Sequence, residues 1–420
     1  MSNRIATHPD PSLAEDASPS GAVILIADKF DASGIKTLSN LGHRVVSIPD
    51  LSPETLPAAI DEHDPQILVV RSTKVRADAI ETAGQLALIV RAGAGTDNID
   101  VKAASGRGIS VANCPGKNSL AVAELAWGLI LSCDRRIPDQ VADLRAGRWN
   151  KKEYSKAPGL AGRTLGIVGL GKIGEAIADR GNAFGMRVFA WGRSITDARA
   201  ESAGCHACEN LLNLARMCDV ISVNVAANQD TRHLISAEFL AAMKPGAILV
   251  NTSRGSVVDQ ASLAQAIRDK GIRAGLDVFA EEPGAGTGEF TDDIVNLPGV
   301  YGTHHVGAST DQAQAAIASE AVRVIRVHLE TGTTPNCINL ASGTGAATLT
   351  IRHFNRPGVL ATVCDLLSRG GINVEDMENV IYVGGTAASA RIRVSEVPAS
   401  DLVQALIAGP NILSVDVSTH

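Results

Sequence analysis

Residues Thr164–Gly174 read Thr-Leu-Gly-Ile-Val-Gly-Leu-Gly-Lys-Ile-Gly. A short apolar run leads into Gly169-x-Gly171-x-x-Gly174, a helical pattern continues to Phe184, and a second apolar run, Arg187–Trp191, follows. Alone, three glycines at this spacing mean little; between a strand and a helix they mark a phosphate loop. The glycines permit a tight turn and let backbone approach a pyrophosphate, and the helix N-terminus offers unpaired N–H groups and a positive dipole end. The segment therefore constrains the chain to a parallel α/β sheet that binds a dinucleotide, with Gly169, Gly171, Lys172, Ile173 and Gly174 around the phosphates.

The remaining pattern extends that fold. From Ala22 to about Cys114, apolar strands alternate with amphipathic helices, and the same alternation runs from Leu165 to Tyr301. Alternation of this kind implies βαβ units and parallel sheets. Between the two series a long helix is expected from Ser119 to Cys133, with Asn118 or Ser119 as its cap. Another is expected from Ser309 to about Thr331. Asn339–Ala347 is rich in Gly, Ser and Ala and reads as a linker. After it come an expected strand, helix, strand, strand, helix and strand, with the second strand at 372–377: a βαββαβ, ferredoxin-like unit with an open edge. The expected fold class is α/β, with two doubly wound parallel-sheet domains and this small third domain.

Composition excludes several classes. A net charge of −7 leaves no basic footprint for nucleic acid or an anionic membrane, and no apolar run approaches the roughly 20 residues of a membrane span. Residues 1–20 lack the basic start and apolar middle of a signal peptide and read as a disordered tail, so a cytoplasmic protein is expected. The seven cysteines are odd in number and scattered, which is no disulfide framework. Cys205-His-Ala-Cys208 has no second ligand pair; it reads as a surface segment with free thiols, and no metal is expected.

Three further patterns follow expected strands: Asn251-Thr-Ser253-Arg254-Gly255, Asp277-Val-Phe-Ala-Glu-Glu282-Pro283 and His304-His305-Val-Gly-Ala-Ser-Thr310. Ligands of open α/β sheets bind at the carboxyl ends of strands, so all three should meet at the nicotinamide end of the dinucleotide. An Arg, a Glu and a His there suit a keto acid. The guanidinium forks onto a carboxylate, the imidazole exchanges the hydroxyl proton, and the carboxylate fixes the imidazole's tautomer.

These motifs together resemble the D-2-hydroxyacid dehydrogenase family from about residue 22 onward, and within it the 3-phosphoglycerate dehydrogenases that carry a C-terminal ACT domain. The resemblance implies that Arg254, Glu282 and His305 are catalytic. It implies oxidation of 3-phospho-D-glycerate to 3-phosphohydroxypyruvate, the committed step towards L-serine. The family pattern has Pro before its catalytic His; here that position is His304. Val70-Arg71-Ser72-Thr73-Lys74-Val75, Arg91-Ala92-Gly93-Ala94-Gly95 and Asn118-Ser119 resemble the family's substrate loops, which assigns Arg71, Ser72, Arg91, Ala92, Gly93 and Asn118 to the substrate, with Lys74 and Arg135 as further cations. Ser253 and Asp277 are assigned to the cofactor. The implied domains are 21–117 with 306–337 for substrate, 118–305 for cofactor, a linker at 338–347, and the ACT domain at 348–420.

The cofactor is expected to be NAD or NADP. The acidic residue that would hold the ribose hydroxyls of NAD is replaced by Gly192, and Arg193 can pair with a 2′-phosphate, which favours NADP modestly. In the ACT domain, the resemblance places L-serine on His353, Asn355 and Asn373 at an interface between copies, within a homotetramer or dimer. An NADPH-dependent glyoxylate/hydroxypyruvate reductase is the alternative enzyme, and a dinucleotide-sensing binding protein the alternative of another class.

Overall fold

The computed structural model describes residues 21–283, 287–341 and 345–420. The expected tail at 1–20 and positions 342–344 of the expected linker lie outside the described residues. The chain divides into two compact units, Met1–Asn339 and Leu340–His420.

The first unit contains two parallel sheets. One has the order β2-β1-β3-β4-β5, from β1 (Val23–Ile26), β2 (Arg44–Ser47), β3 (Ile67–Val70), β4 (Leu88–Arg91) and β5 (Ser110–Asn113). The sheet is covered on both faces, so its central strands are continuously apolar; all four residues of β3 are buried. One face packs Leu25, Leu68, Ile89 and Val111. The other packs Ile24, Val69 and Leu88 against Ile317, Val324 and Ile325 of the helix Asp311–Thr331. The N-terminal sheet is thus closed by a helix from the far end of the same unit.

The second sheet has the order β12-β11-β10-β9-β6-β7-β8. Its strands are β6 (Thr164–Val168), β7 (Arg187–Trp191), β8 (His206–Ala207), β9 (Val220–Val223), β10 (Ile248–Asn251), β11 (Arg273–Leu276) and β12 (Val300–Gly302). The chain starts at β6 and winds outward both ways, so the switch point lies at the carboxyl end of β6. The two-residue β8 is too short to carry a periodic signal, and it corrects the surface-thiol expectation. Pairing with β7 draws Cys205 and Cys208 under the sheet edge to 3% and 8% exposure, and burial pushes the Cys205 thiol up to about 11. No cluster of metal-ligating side chains occurs among the described residues, and no helix among them is long and apolar enough to cross a membrane.

The expected linker start at 338 is also corrected. Ile338 donates its N–H to the Val111 carbonyl at 2.8 Å, and the Asn339 side chain accepts from the Val111 N–H at 2.8 Å and donates to the Ile109 carbonyl at 2.9 Å. Both residues serve backbone groups along β5, which composition cannot reveal.

The second unit is a four-stranded antiparallel sheet, β14-β15-β13-β16. It comprises β13 (Ala347–Phe354), β14 (Val374–Ile381), β15 (Ala387–Val394) and β16 (Ile412–Thr419), with helices Val359–Arg369 and Ser400–Ile407. Ala388, Ala390, Ile392 and Val394 alternate onto one face against Val363, Leu367 and Leu406. The order is ferredoxin-like, as expected. The edge strand β14 runs past the expected Met377 to Ile381, because pairing with β15 holds a stretch whose Glu and Asn residues break the apolar alternation.

A buried carboxylate ties the first unit together. Glu320 is 8% exposed and accepts from Arg323 at 2.6 and 3.1 Å and from Asn336 at 2.8 Å, with Lys117 at 3.3 Å. The Arg323 contact leads the effects that hold its carboxyl at about 2, against an ordinary 4.5. A depressed carboxyl contributes its full stability above the ordinary value and loses it as pH falls towards the folded one. Glu320→Gln should cost about 2 kcal/mol at pH 7. In urea unfolding, the gap from wild type should narrow as pH falls from 4.5 towards 2; a pH-independent gap would contradict the network.

Candidate active site

Each glycine of the phosphate loop has its own physical reason. Gly169 has φ +96°, and a Cβ there would lie 2.8 Å from the Val225 side chain. A Cβ on Gly174 would lie 2.3 Å from the Gly169 carbonyl oxygen, so only glycine lets the helix Lys172–Ala183 pack this close to β6. Gly171, at the helix N-cap, faces open space instead, on the side where a phosphate would approach. Beside the loop, the exposed Lys172 pairs with Glu175 at 3.3 Å, and Ile173 packs onto the core. Gly192 follows β7, and Arg193 donates to the Asp230 carboxylate at 2.7 Å.

The neighbouring strands β10, β11 and β12 deliver Arg254, Glu282 and His305 from their carboxyl ends. His305 Nδ1 and Glu282 Oε2 are 2.7 Å apart, and Glu282 Oε1 accepts from the Phe279 N–H at 3.0 Å. Burial opposes ionisation of Glu282, but His305, the Phe279 amide and Arg254 outweigh it and hold the carboxyl below its ordinary value. His305, not His304, is the imidazole engaged by the carboxylate. Its backbone has φ +52°, the left-handed region that non-glycine residues avoid, and its N–H donates to the Asp277 carbonyl at 2.8 Å.

Asp277 is 1% exposed, and both its carboxylate oxygens are engaged. Oδ1 accepts from Thr303 Oγ1 at 2.7 Å and the Val306 N–H at 2.9 Å; Oδ2 accepts from the Gly307 N–H at 2.9 Å. Asp277 therefore clamps the loop that carries His305. Ser253 is turned to Asn251, donating its N–H and Oγ to Oδ1 at 3.0 and 2.8 Å.

The N-terminal sheet brings more positive charge. Arg71 follows β3 and donates to Ser309 Oγ at 3.0 Å; the N–H groups of Arg71, Ser72 and Thr73 converge on the Asp28 carboxylate at 2.7–3.2 Å. Burial lowers the Arg71 guanidinium, with Asp28 opposing. Arg91 ends β4. Burial first, then repulsion from Arg254 and Arg71, brings it down to about 10, while Asp97 works the other way. Asp97 itself takes Arg254 in a fork, from Nε at 3.1 Å and Nη2 at 3.0 Å.

Glycines again make the room. A Cβ on Gly93 would lie 1.5 Å from Arg91 Nη1, and one on Gly95 would lie 2.5 Å from Arg254 Nη2. Ala92, between Arg91 and Gly93 in sequence, is buried. Arg91 Nε, Asn118 Oδ1 and Thr252 Oγ1 are buried without a hydrogen-bond partner among the described residues. Lys74 is exposed. Arg135 ends the helix whose cap is Asn118, 17 residues away and so about 25 Å along the axis. It stands apart from this cluster.

Asp28, Asp97 and Asp230 escaped sequence reasoning, since each acts through a partner at least 37 residues away. Asp97 alone lay beside a recognisable motif. In the second unit, His353 is 2% exposed, with Nδ1 2.9 Å from the Phe354 carbonyl oxygen and Nε2 3.1 Å from Asn379 Oδ1. Asn355 Nδ2 donates to the Gly385 carbonyl at 3.0 Å. Asn373 precedes β14 and sits at the opposite end of the sheet, because Val374 pairs with Val394 and Val394 with Ala347. Seven residues of β13 separate the ends, roughly 20 Å, so one unit does not bring the three residues together.

Fold and phosphate loop define a dinucleotide-binding protein, with a second parallel sheet that brings Arg91 and Asp97 to Arg254. Comparison with known proteins is specific. Residues 127–307 match the D-isomer specific 2-hydroxyacid dehydrogenase, NAD binding domain. A hydroxypyruvate reductase of Thermotoga maritima is 40% identical over 304 residues, 71% of this chain and 96% of that protein. A D-3-phosphoglycerate dehydrogenase of Methanocaldococcus jannaschii is 40% identical over 319 residues, 76% of this chain; the match spans 59% of that relative's length. Among solved structures, an NADPH-dependent glyoxylate/hydroxypyruvate reductase from Sinorhizobium meliloti, in complex with NADP and malonate, superposes with a TM-score of 0.67 at 30% identity, over 76% of this chain and 97% of that one. The chain belongs to the D-isomer-specific 2-hydroxyacid dehydrogenase family.

Two substitutions separate packing from ligand approach in the loop. Gly174→Ala should destabilise the unit by about 1–3 kcal/mol through overpacking. Gly171→Ala should leave thermal stability unchanged yet weaken NADH binding about ten-fold, the equivalent of one lost charge-assisted hydrogen bond. Calorimetry and NADH fluorescence titration would check both; equal effects of the two variants would contradict the distinction.

Proposed function

We propose that this chain oxidises 3-phospho-D-glycerate to 3-phosphohydroxypyruvate with a nicotinamide dinucleotide, the committed step towards L-serine. One observation carries the reading: the Arg71, Arg91 and Arg254 guanidiniums gather beside the Glu282–His305 pair. A single carboxylate needs one fork. A substrate bearing a carboxylate and a phosphate gives the additional cations a partner. The name of the Methanocaldococcus relative supports the same substrate.

The bound nicotinamide would supply the carbon that accepts the hydride. Gly169, Gly171 and Gly174 would cradle its pyrophosphate. With Nδ1 engaged by Glu282, Nε2 of His305 is the nitrogen free to take the hydroxyl proton. Glu282 stabilises the imidazolium that results. Arg254 has five N–H donors; Asp97 takes two, the Ser253 carbonyl a third at 2.8 Å, and two remain for the substrate carboxylate. They also polarise the forming carbonyl. Arg71 and Arg91 hold the phosphate, with Ser72, Gly93 and Asn118 closing around it.

A hydroxypyruvate reductase is the second reading, favoured by the match across 96% of the Thermotoga relative. Arg71 and Arg91 separate the two. The wild-type kcat/KM for 3-phosphohydroxypyruvate should exceed that for hydroxypyruvate by about 100-fold, and Arg71→Ala should remove most of that preference. Equal rates on both substrates would favour the reductase. His305→Ala should lower kcat about 10³-fold with NADH affinity retained; retained turnover would move the acid/base role elsewhere.

The C-terminal unit is read as an ACT regulatory domain. Its β14 edge is bare and exposes Met377, Val380 and Ile381. Antiparallel pairing of two such edges about a two-fold axis would carry Asn373 of one copy towards His353 and Asn355 of the other, with L-serine between them. Ile137, Val141, Leu144 and Trp149 are exposed near the cofactor sheet and offer apolar surface for a second two-fold contact, which supports a homotetramer. Calorimetry at millimolar L-serine should detect binding, and Asn355→Ala should abolish inhibition while sparing the basal rate. Absence of binding would leave the unit as an assembly module.

A further inference from the structure

The crevice at the carboxyl end of β6 is flanked by the loops after β7 and β9, because β6 lies between those strands. Arg193 stands two residues past β7, and Asp230 seven residues past β9. They meet with Arg193 Nη1 and Asp230 Oδ2 2.7 Å apart. Both side chains are largely exposed, at 65% and 70%, so the pair adds little to stability. Its placement is nevertheless held firmly on the Asp230 side. The turn Gln229–Thr231 is closed by a capping box between Asn228 and Thr231, and Thr231 Oγ1 donates to the Ala226 carbonyl at 2.7 Å.

Gly192 occupies the strand end where a carboxylate would meet the ribose hydroxyls. The chain thus lacks a negative charge at that point of β7, and the fold returns one from the loop after β9. We propose that Asp230 is a specificity-determining residue that selects NAD over NADP by competing with a 2′-phosphate for Arg193. When the ribose carries a hydroxyl, the ion pair stays intact and the second Asp230 oxygen can accept from that hydroxyl. A 2′-phosphate has to take Arg193 for itself and then faces a carboxylate of like charge. The other cations near the loop, Lys172 and Arg199, are both engaged by Glu175. This reverses the modest NADP preference drawn from Gly192 and Arg193 alone, and it rests on the dinucleotide reading above.

The test uses the full chain with Asp230→Asn, Arg193→Ala and the double variant. Dissociation constants for NADH and NADPH are read by fluorescence, with thermal melting as a folding control. Asp230→Asn should lower the ratio of the NADPH constant to the NADH constant by about five-fold, the size an exposed charge pair carries. In the Arg193→Ala background the same change should shift the ratio less, because only the direct interactions of Asp230 with the ribose substituent remain. An unchanged ratio, or an equal shift with and without Arg193, overturns the proposal. Failure of the wild type to bind either cofactor would sink the dinucleotide reading along with it.

Discussion

Like charges in one cleft repel, and the cost grows as they approach and as water is excluded. Arg71, Arg91 and Arg254 are nonetheless gathered in this way, and the surrounding architecture answers that cost. Asp97 forks onto Arg254, and Asp28 lies near Arg71 while accepting three backbone N–H groups behind it. Gly93 and Gly95 leave the volume that two guanidiniums occupy. Arg91 remains incompletely satisfied, with Nε unpartnered and its ionisation weakened by burial. A ligand anion would give Arg91 the partner it lacks. That unpartnered Arg91 nitrogen is what supports the proposal of a phosphorylated acid as substrate.

The cluster depends on how the first unit is assembled. Arg71 and Arg91 come from one sheet, Arg254, Glu282 and His305 from another, and the helix Asp311–Thr331 returns to cover the first sheet. Glu320 on that helix bonds to Asn336 and lies beside Lys117, just before the helix Ser119–Arg135. Buried Asp277 serves the same end more locally, fixing the loop in which His305 adopts a left-handed backbone. Strain of that kind persists only where neighbours over-determine it.

Features set by short-range pattern were legible in the sequence. Strand, glycine turn and helix around Gly169–Gly174 are contiguous, and the doubly wound order follows from alternation and connection rules. The motifs after β10, β11 and β12 follow neighbouring parallel strands, whose carboxyl ends lie together. Features set by long-range pairing were hidden. β8 exists because β7 offers it an edge, and β14 extends to Ile381 because β15 pairs with it. Asp97 and Asp230 are unremarkable in the chain and acquire meaning only opposite an arginine. The roughly 20 Å between Asn373 and His353 within one sheet likewise follows from register, which local sequence does not encode.

In the proposed reaction, hydride moves between the nicotinamide and C2 of a phosphorylated acid while His305 exchanges the proton of the C2 oxygen. The most direct test is isotopic competition. The protein would be given deuterated NADH, labelled at C4, with an equal mixture of 3-phosphohydroxypyruvate and hydroxypyruvate, and the products analysed by mass spectrometry. One deuterium at C2 of 3-phosphoglycerate, with little label in glycerate, is the predicted result. Label accumulating mainly in glycerate, or in neither product, would contradict the account.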